Sequence, residues 1–477
     1  MFPKLSCALL ALLGLPVLCG AEPRPLVFQD VTVLDMTGAA PKPHSTVVVR
    51  AGRITAVGAS GKVAVPEGSQ VIDGNGKFLI PGLWDMHAHI YETERSLPLF
   101  LANGVTGVRI MAGHPDDLFR WRREIAEGKL PGPRIVTCGP LIDGPNPADP
   151  DNAVSVHDAD DARRRVDSLA DRGADFIKVH DRVPRDAYFA ILDEAKKRGL
   201  PVVGHVPDAL TIEEVSNAGQ KSIEHLGPLI ETCSTATDEL ARMKALPIPE
   251  GDFSAFPKRL AARGTLALDT FSAEKCDRIF ALYKKNGTWQ VPTLVTKRTL
   301  SEIDELARTP DPRLRFVPAS QRERWKPEND FFARYRTPDY IAYRKRAYRK
   351  EKELVGAMYR AGVPILAGTD LAIAYVYAGF SLHDELALLV ESGLPPLAAL
   401  QAATVNPARF FGFHDLGTIE PGKTADLVLL DADPLADIHN TQKISAVVLH
   451  GRLIAKPEIE KLLAAAAQSA AQAPVKP

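Results

Sequence analysis

The segment Asp85-Met-His87-Ala-His89 sets two imidazoles two residues apart at the end of an apolar run. Residues two apart on a strand share a face, so both rings point one way. Two neutral imidazoles placed like that suit a divalent metal. Other polar residues close further apolar runs: His205 ends Val202-Val-Gly-His205, His225 ends Ser222-Ile-Glu-His225, and Asp370 ends Leu366-Ala-Gly-Thr-Asp370. Lys178 lies inside Phe176-Ile-Lys178-Val-His180. Alternation puts Phe176, Lys178 and His180 on one face, with Ile177 and Val179 on the face expected to meet helices. Lys178 is then directed inward, where a bare ammonium is costly unless paired or neutralised. Carboxylation by carbon dioxide is one solution, because it turns the amine into an anionic bridge between two metals.

Such residues need strand ends to hold them. Eight apolar runs are expected to be strands: 83–90, 104–111, 134–141, 176–180, 201–206, 221–226, 289–295 and 364–370. Helical stretches alternate with them, among them 159–172, 185–198, 211–218 and 382–392. Eight βα units of this length predict an α/β fold, a (β/α)8 TIM barrel over 79–412. In such a barrel, polar residues at strand ends face the mouth where active sites sit. Val- and Thr-rich runs over 22–78, punctuated by Ala51-Gly52 and Gly74-Asn75-Gly76, predict short strands with tight turns. They are too few to close a sandwich alone. Asp426-Leu-Val-Leu-Leu-Asp431 and Ser445-Ala-Val-Val-Leu-His450 supply more, so 22–78 and 413–460 are expected to form one small β-sandwich domain from both termini.

The 477 residues carry 58 basic and 59 acidic side chains, a formal charge of −1. That balance gives no general hold on nucleic acid or anionic membrane, so a small-molecule or dipeptide substrate is expected. Residues 1–21 read as a signal peptide: Lys4, an apolar run, then Cys19-Gly20-Ala21 as a cleavage site. A secreted or periplasmic protein with no membrane span follows, lipid anchoring at Cys19 being the lesser alternative. Of the five cysteines, Cys138, Cys233 and Cys276 would remain after cleavage, enough for at most one bridge. The stretch 340–352 interleaves Tyr340, Tyr343 and Tyr348 with Arg344-Lys-Arg346, Arg349-Lys350 and Lys352. It reads as a solvated helix face whose tyrosines pack inward. Residues 461–477 read as an Ala-rich tail, a terminal helix that frays.

The chain has no Gly-x-Ser-x-Gly elbow, no His-Glu-x-x-His and no Gly-x-Gly-x-x-Gly after a strand. What it has, His87, His89, Lys178, His205, His225 and Asp370 together, resembles the amidohydrolase superfamily in its binuclear branch. The segments Pro81-Gly-Leu-Trp-Asp85, Gly104-Val-Thr-Gly-Val-Arg109, Ala402-Ala-Thr-Val-Asn406-Pro-Ala408 and Gly417-Thr-Ile-Glu-Pro-Gly-Lys-Thr-Ala-Asp426 agree over nearly all the mature chain. The nearest subgroup is similar to imidazolonepropionase-like and Xaa-Pro dipeptidase-like members.

The resemblance implies two divalent metals, for which zinc is well suited. His87, His89 and Asp370 would hold the more buried one and His205 and His225 the other, with a carbamate on Lys178 between them. Asp370 would also be the catalytic proton carrier. The expected activity is amide hydrolysis in a dipeptide or N-acyl amino acid. Hydrolysis of a cyclic amide, lactone or ester, deamination, and a non-catalytic exported binding protein are the alternatives, and Lys178 counts against the one-metal deaminases. Val179-His180-Asp181-Arg182-Val183-Pro184 departs from the small, Gly-rich stretch of many relatives, which leaves the substrate open. Candidate substrate contacts are His180, Arg182, Tyr375 and Tyr377. His44, His114, His157, His383, His414, His439 and His450 fit no strand-end pattern. The loop after the sixth strand, 227–271, is expected to cover the site as a lid, and a homo-oligomer is compatible with the sequence.

Overall fold

The structure, a computed structural model, describes residues 24–147, 149–246, 255–330 and 332–473. The expected signal segment 1–21 lies outside them. The protein has an α/β fold built on parallel sheets, with a further sheet contributed by both ends of the chain.

That terminal sheet has eight strands. Its seam is the short strand Phe78–Pro81, parallel to Leu26–Val33 on one side and antiparallel to Leu427–Leu430 on the other. Leu26–Val33 also pairs with Lys42–Arg50 and Gln70–Asp73, and Leu427–Leu430 continues into Ile444–Leu449 and Arg452–Ala455. Alternate residues of these strands, among them Phe28, Val47, Leu79, Leu429 and Val448, meet in one apolar cluster. Two turns close against each other here. Gly52 and Gly451 are both left-handed, at φ +76° and +78°, and a Cβ on Gly451 would lie 2.6 Å from the Gly52 Cα.

Between the two halves run the parallel strands. Leu83–Ala88, Val105–Ile110 and Arg134–Thr137 form one sheet. Ile177–Val179, Val202–Gly204, Ser222–Glu224 and Trp289–Val291 form the body of the other, with Leu141–Asp143 and Ala153–Ser155 at its edge. The expected strand 134–141 is thus split in two, because Gly139 is left-handed and Pro140 offers no donor for a ladder. The expected strand 364–370 is held by isolated contacts rather than a regular ladder. Gln290 bridges Ile365, the Met86 N–H donates to the Ala367 carbonyl at 2.9 Å, and the Thr369 N–H to the His87 carbonyl at 3.1 Å.

The side-chain alternation of the strands divides the core. Ile177 and Val179 pack outward with the helices, whereas Phe176 joins Trp84, Met86, Val203, Val291 and Leu366 in a separate inner cluster. Helices Ala159–Asp171, Arg185–Lys197, Ile212–Asn217 and Phe380–Glu391 lie within two residues of their expected limits. Thr211 starts the third through a reciprocal capping box with Glu214.

The segment expected as a lid folds into helices Leu229–Thr232, Thr237–Ala245 and Ala255–Asp269, the last packed on helix Pro338–Ala361. A disulfide joins Cys233 to Cys276 and leaves Cys138 buried and free. In helix Pro338–Ala361 the rings of Tyr340 and Tyr348 are buried as expected. Arg344 and Glu351 are buried too, so this face is not simply solvated. The C-terminal segment departs further from expectation. Lys456–Gln472 is a docked helix, not a fraying tail, because Ile459, Ala466 and Ala470 are buried where it packs along helix Thr93–Ala102. Small alanines permit that close approach. No helix among the described residues is long and apolar enough to cross a membrane.

Candidate metal centre

His87 occupies the penultimate position of strand Leu83–Ala88, and His89 follows its end. Both Nε2 atoms approach one oxygen of Asp370, at 3.3 Å and 3.5 Å from Oδ1. These three side chains form a group able to hold a metal ion. The strand ends bend sharply to present them. Asp370, His225 and Thr293 all have left-handed backbones, at φ 58°, 58° and 49°. Non-glycine residues rarely adopt that conformation, and such strain gathers at functional sites. Close packing enforces the approach. A Cβ on Gly368 would sit 2.8 Å from the His87 nitrogen, and one on Gly204 would sit 2.2 Å from the Val179 carbonyl oxygen.

The second imidazole pair stands beside the first. The rings of His87 and His225 are 4.6 Å apart, those of His225 and His205 5.0 Å, and those of His205 and His180 4.1 Å. His225 Nδ1 lies 2.7 Å from Thr293 Oγ1, and His205 Nδ1 lies 2.8 Å from Asp181 Oδ1. His180, Asp181 and His205 make a further group with metal-binding spacing. Lys178 is buried among these residues, and its ammonium makes no hydrogen bond or ion pair with another described residue.

Glu224 and Arg109 are the residues that sequence reasoning passed over as site components. Glu224 Oε2 lies 2.8 Å from His87 Nδ1, and both its oxygens accept from Arg109 Nη2 at 2.8 Å. Ser222 Oγ donates to Glu224 Oε1 at 2.6 Å, while Arg109 Nε donates to the Met86 carbonyl at 2.5 Å. All are buried. Their sequence signal was present, since Arg109 ends the Gly104-Val-Thr-Gly-Val-Arg109 segment and Glu224 directly precedes His225. Asp85 plays a similar part. It accepts from the Thr369 N–H at 3.0 Å and the Thr369 hydroxyl at 2.7 Å, tying the His87 strand to the Asp370 turn.

The electrostatics favour ligation. Burial holds His87 and His225 well below the ordinary imidazole range, against the pull of Asp370. Burial opposes ionisation of Asp370, yet the neighbouring His225, His87 and His89 outweigh it and keep the carboxylate well below its ordinary value. Burial likewise lowers Lys178, against the pull of Asp370, Cys138 and Glu224. The residues also pass a direct test of fit. His87 Nε2 is buried with no hydrogen-bond partner while Nδ1 is held by a carboxylate. That is the arrangement of a metal-ligating histidine, whose second nitrogen is fixed so that the first presents a lone pair.

The candidate substrate contacts fall in different places. His180 stands at the centre, 3.3 Å from Asp143 Oδ2. Arg182 is exposed, and its guanidinium donates to the Asn146 carbonyl. Tyr377 lines a cleft that begins at His89, whereas Tyr375 packs beside Trp325 with ring centroids 5.5 Å apart.

Comparison with known proteins agrees with this geometry. A family model described as the amidohydrolase family matches residues 78–454. An adenine deaminase of Rubrobacter xylanophilus is 23% identical over 454 residues, covering 92% of this chain. The chain spans only 60% of that relative's length. Among solved structures, a bottromycin amidohydrolase has a TM-score of 0.75 at 25% identity, covering 94% of this chain and 91% of its own. A Xaa-Pro dipeptidase with bound methionine has a TM-score of 0.65 at 20% identity, covering 91% of this chain and all of its own.

Proposed function

Because the chain belongs to the amidohydrolase family, we propose that it is a metal-dependent hydrolase of carbon–nitrogen bonds that cleaves the amide of a dipeptide or an N-acyl amino acid. The observation behind this reading is the convergence of His87, His89 and Asp370 beside a buried Lys178 that pairs with no other described residue. His87, His89 and Asp370 are assigned to one divalent metal, and His205 and His225 to a second. Lys178, as its carbamate, would help hold both. Zinc suits this mixture of imidazole and oxygen donors. Divalent ions held there would supply acidification of a water to a pKa of ~7 and polarisation of a carbonyl.

The chain's own groups do the rest. Glu224 keeps the His87 proton on Nδ1, leaving Nε2 free. Asp370 takes the proton of the attacking water on its carboxylate and hands it to the leaving nitrogen. The depressed basicity of Lys178 supports carbamate formation, since a neutral amine is the form that attacks carbon dioxide.

The barrel and sandwich are part of the same reading. The two parallel sheets are two arcs of one (β/α)8 barrel, joined where the Asp175 N–H meets the Thr137 carbonyl and where segment 364–370 meets both Gln290 and Met86. The shared apolar cluster of the terminal strands supports their folding as a sandwich. Export to an oxidising compartment is supported by the Cys233–Cys276 bridge, which cytosolic proteins seldom keep.

A second reading, deamination, is favoured by the names of the adenine deaminase relatives. A panel of dipeptides, N-acyl amino acids, lactones and adenine, assayed on protein of known metal content, decides between them. Release of an amino acid supports amide cleavage, and release of ammonia from adenine supports the alternative. Protein that binds no divalent metal would sink both.

A further inference from the structure

A cavity of about 270 Å³ opens beside the candidate metal ligand His89. Its inner end is formed by His89 and by Leu371, the residue after Asp370. The His89 N–H donates to the Leu371 carbonyl at 3.1 Å, so this end is built into the turn that presents the candidate ligands. One wall comes from that same turn, through Val376 and Tyr377. The facing wall comes from the long connection after the seventh strand, through Phe316 and Trp325. Across the two walls Trp325 and Tyr377 share one apolar cluster, their rings meeting edge-on with centroids 5.5 Å apart.

The outer end is polar. Arg95 is paired there with Glu92. Arg324, exposed at the end of helix Ala319–Arg324, makes no ion pair with another described residue. The cleft therefore runs from His89, past aromatic rings, to a cation that pairs with no other described residue. Its volume lies just below the range of drug-sized pockets, which admits one ring-sized group and not a folded chain. Aromatic walls favour an aromatic occupant through edge-to-face packing, and a free guanidinium favours a carboxylate through bidentate bonding.

We infer that this cleft is the subsite for an aromatic amino acid of the hydrolysed amide, with the ring packed against the faces that Trp325 and Tyr377 present to the cleft and the free carboxylate on Arg324. The inference rests on the amide-hydrolase reading for its substrate, but binding at the cleft is testable without turnover. Metal-loaded protein is assayed with N-acetyl-phenylalanine, N-acetyl-alanine and N-acetyl-phenylalaninamide, and binding of free phenylalanine and alanine is measured by calorimetry. The expected result is a preference of at least tenfold in kcat/KM for the phenylalanine acid over both others. Arg324→Met, an exposed change that leaves the core alone, raises KM for the acid at least tenfold without a matching rise for the carboxamide. Trp325→Ala, checked for folding by thermal melting, removes the preference for phenylalanine over alanine. Hydrolysis of these amides with no aromatic preference, or an Arg324→Met variant that treats acid and amide as the parent does, overturns the subsite. If no amide is hydrolysed, the amide-hydrolase reading fails by itself. The subsite then stands or falls on whether phenylalanine binds at least tenfold tighter than alanine and loses that advantage in Arg324→Met.

Discussion

Replacing Glu224 by Gln separates two tasks that one buried carboxylate performs. It neutralises Arg109, whose guanidinium is fully buried, and it fixes the proton of His87. Breaking a buried ion pair by removing one partner's charge costs about 3–5 kcal/mol. Arg109 keeps its bonds to the Met86 carbonyl and Ser222 hydroxyl, which places the loss near the lower figure, about 3 kcal/mol. The effect on His87 is separate. If the amide nitrogen takes the Oε2 position, it donates to Nδ1 and drives the ring proton onto Nε2, the atom facing Asp370. In either position its hydrogens meet those of Arg109 Nη2, from which both carboxylate oxygens accept. Loss of such an outer partner to a ligating histidine typically weakens metal binding by about 10–100-fold. Urea unfolding of the metal-free variant measures the first term, and competition with a chelator measures the second. The double variant Arg109→Met/Glu224→Gln removes the orphaned charge, so it should regain most of the stability and none of the metal affinity. A Glu224→Gln protein with parental metal affinity, or a double variant that regains both properties, would refute the reasoning.

Lys178→Ala should lose activity together with one or both metals, and short carboxylic acids should restore part of each; elemental analysis and the amide assay read this directly. Asp370→Asn should abolish turnover while keeping much of the metal, and a rate near that of the parent would show that the proton carrier lies elsewhere. Cys233 and Cys276 are separated by 43 residues, and closing a loop of that length is worth up to about 4 kcal/mol in chain entropy. Cys233→Ala/Cys276→Ala should therefore lower the urea midpoint, and an unchanged midpoint would place the constraint outside the unfolded state. Burial lowers His383 to about 4, against its bond to the Asn103 carbonyl. Its folded value lies below its unfolded one, so the unfolded chain binds the proton first. Stability is intact above pH ~6.5 and falls as the pH drops toward 4, by about 3 kcal/mol at the bottom of that window. Relative to His383→Gln, the parent should show this extra loss, and parallel stability profiles would exclude it.

Much of the centre was legible in the chain because its signals are local. A polar residue ending an apolar run, as His205, His225 and Asp370 do, marks a strand end without knowledge of any partner. The alternation around Lys178 likewise gave its inward direction, and the structure places Ile177 and Val179 among the helices as that alternation requires. The capping box at Thr211 and the docked tyrosines of helix Pro338–Ala361 belong to the same class.

What the sequence could not contain is which distant residues meet. Glu224 reaches His87 across 137 positions and Arg109 across 115, and nothing in the local period of either strand specifies that contact. The choice of Cys233 with Cys276 over Cys138, and the burial of Ala466 against helix Thr93–Ala102, are of the same kind. So is the cleft lined by Trp325 and Tyr377, whose walls come from separate loops. Periodicity is fixed by backbone geometry and needs only neighbours along the chain. Contacts between remote side chains exist only after the sheets have set the spacing and stagger of their strand ends, and that is a property of the packed fold alone.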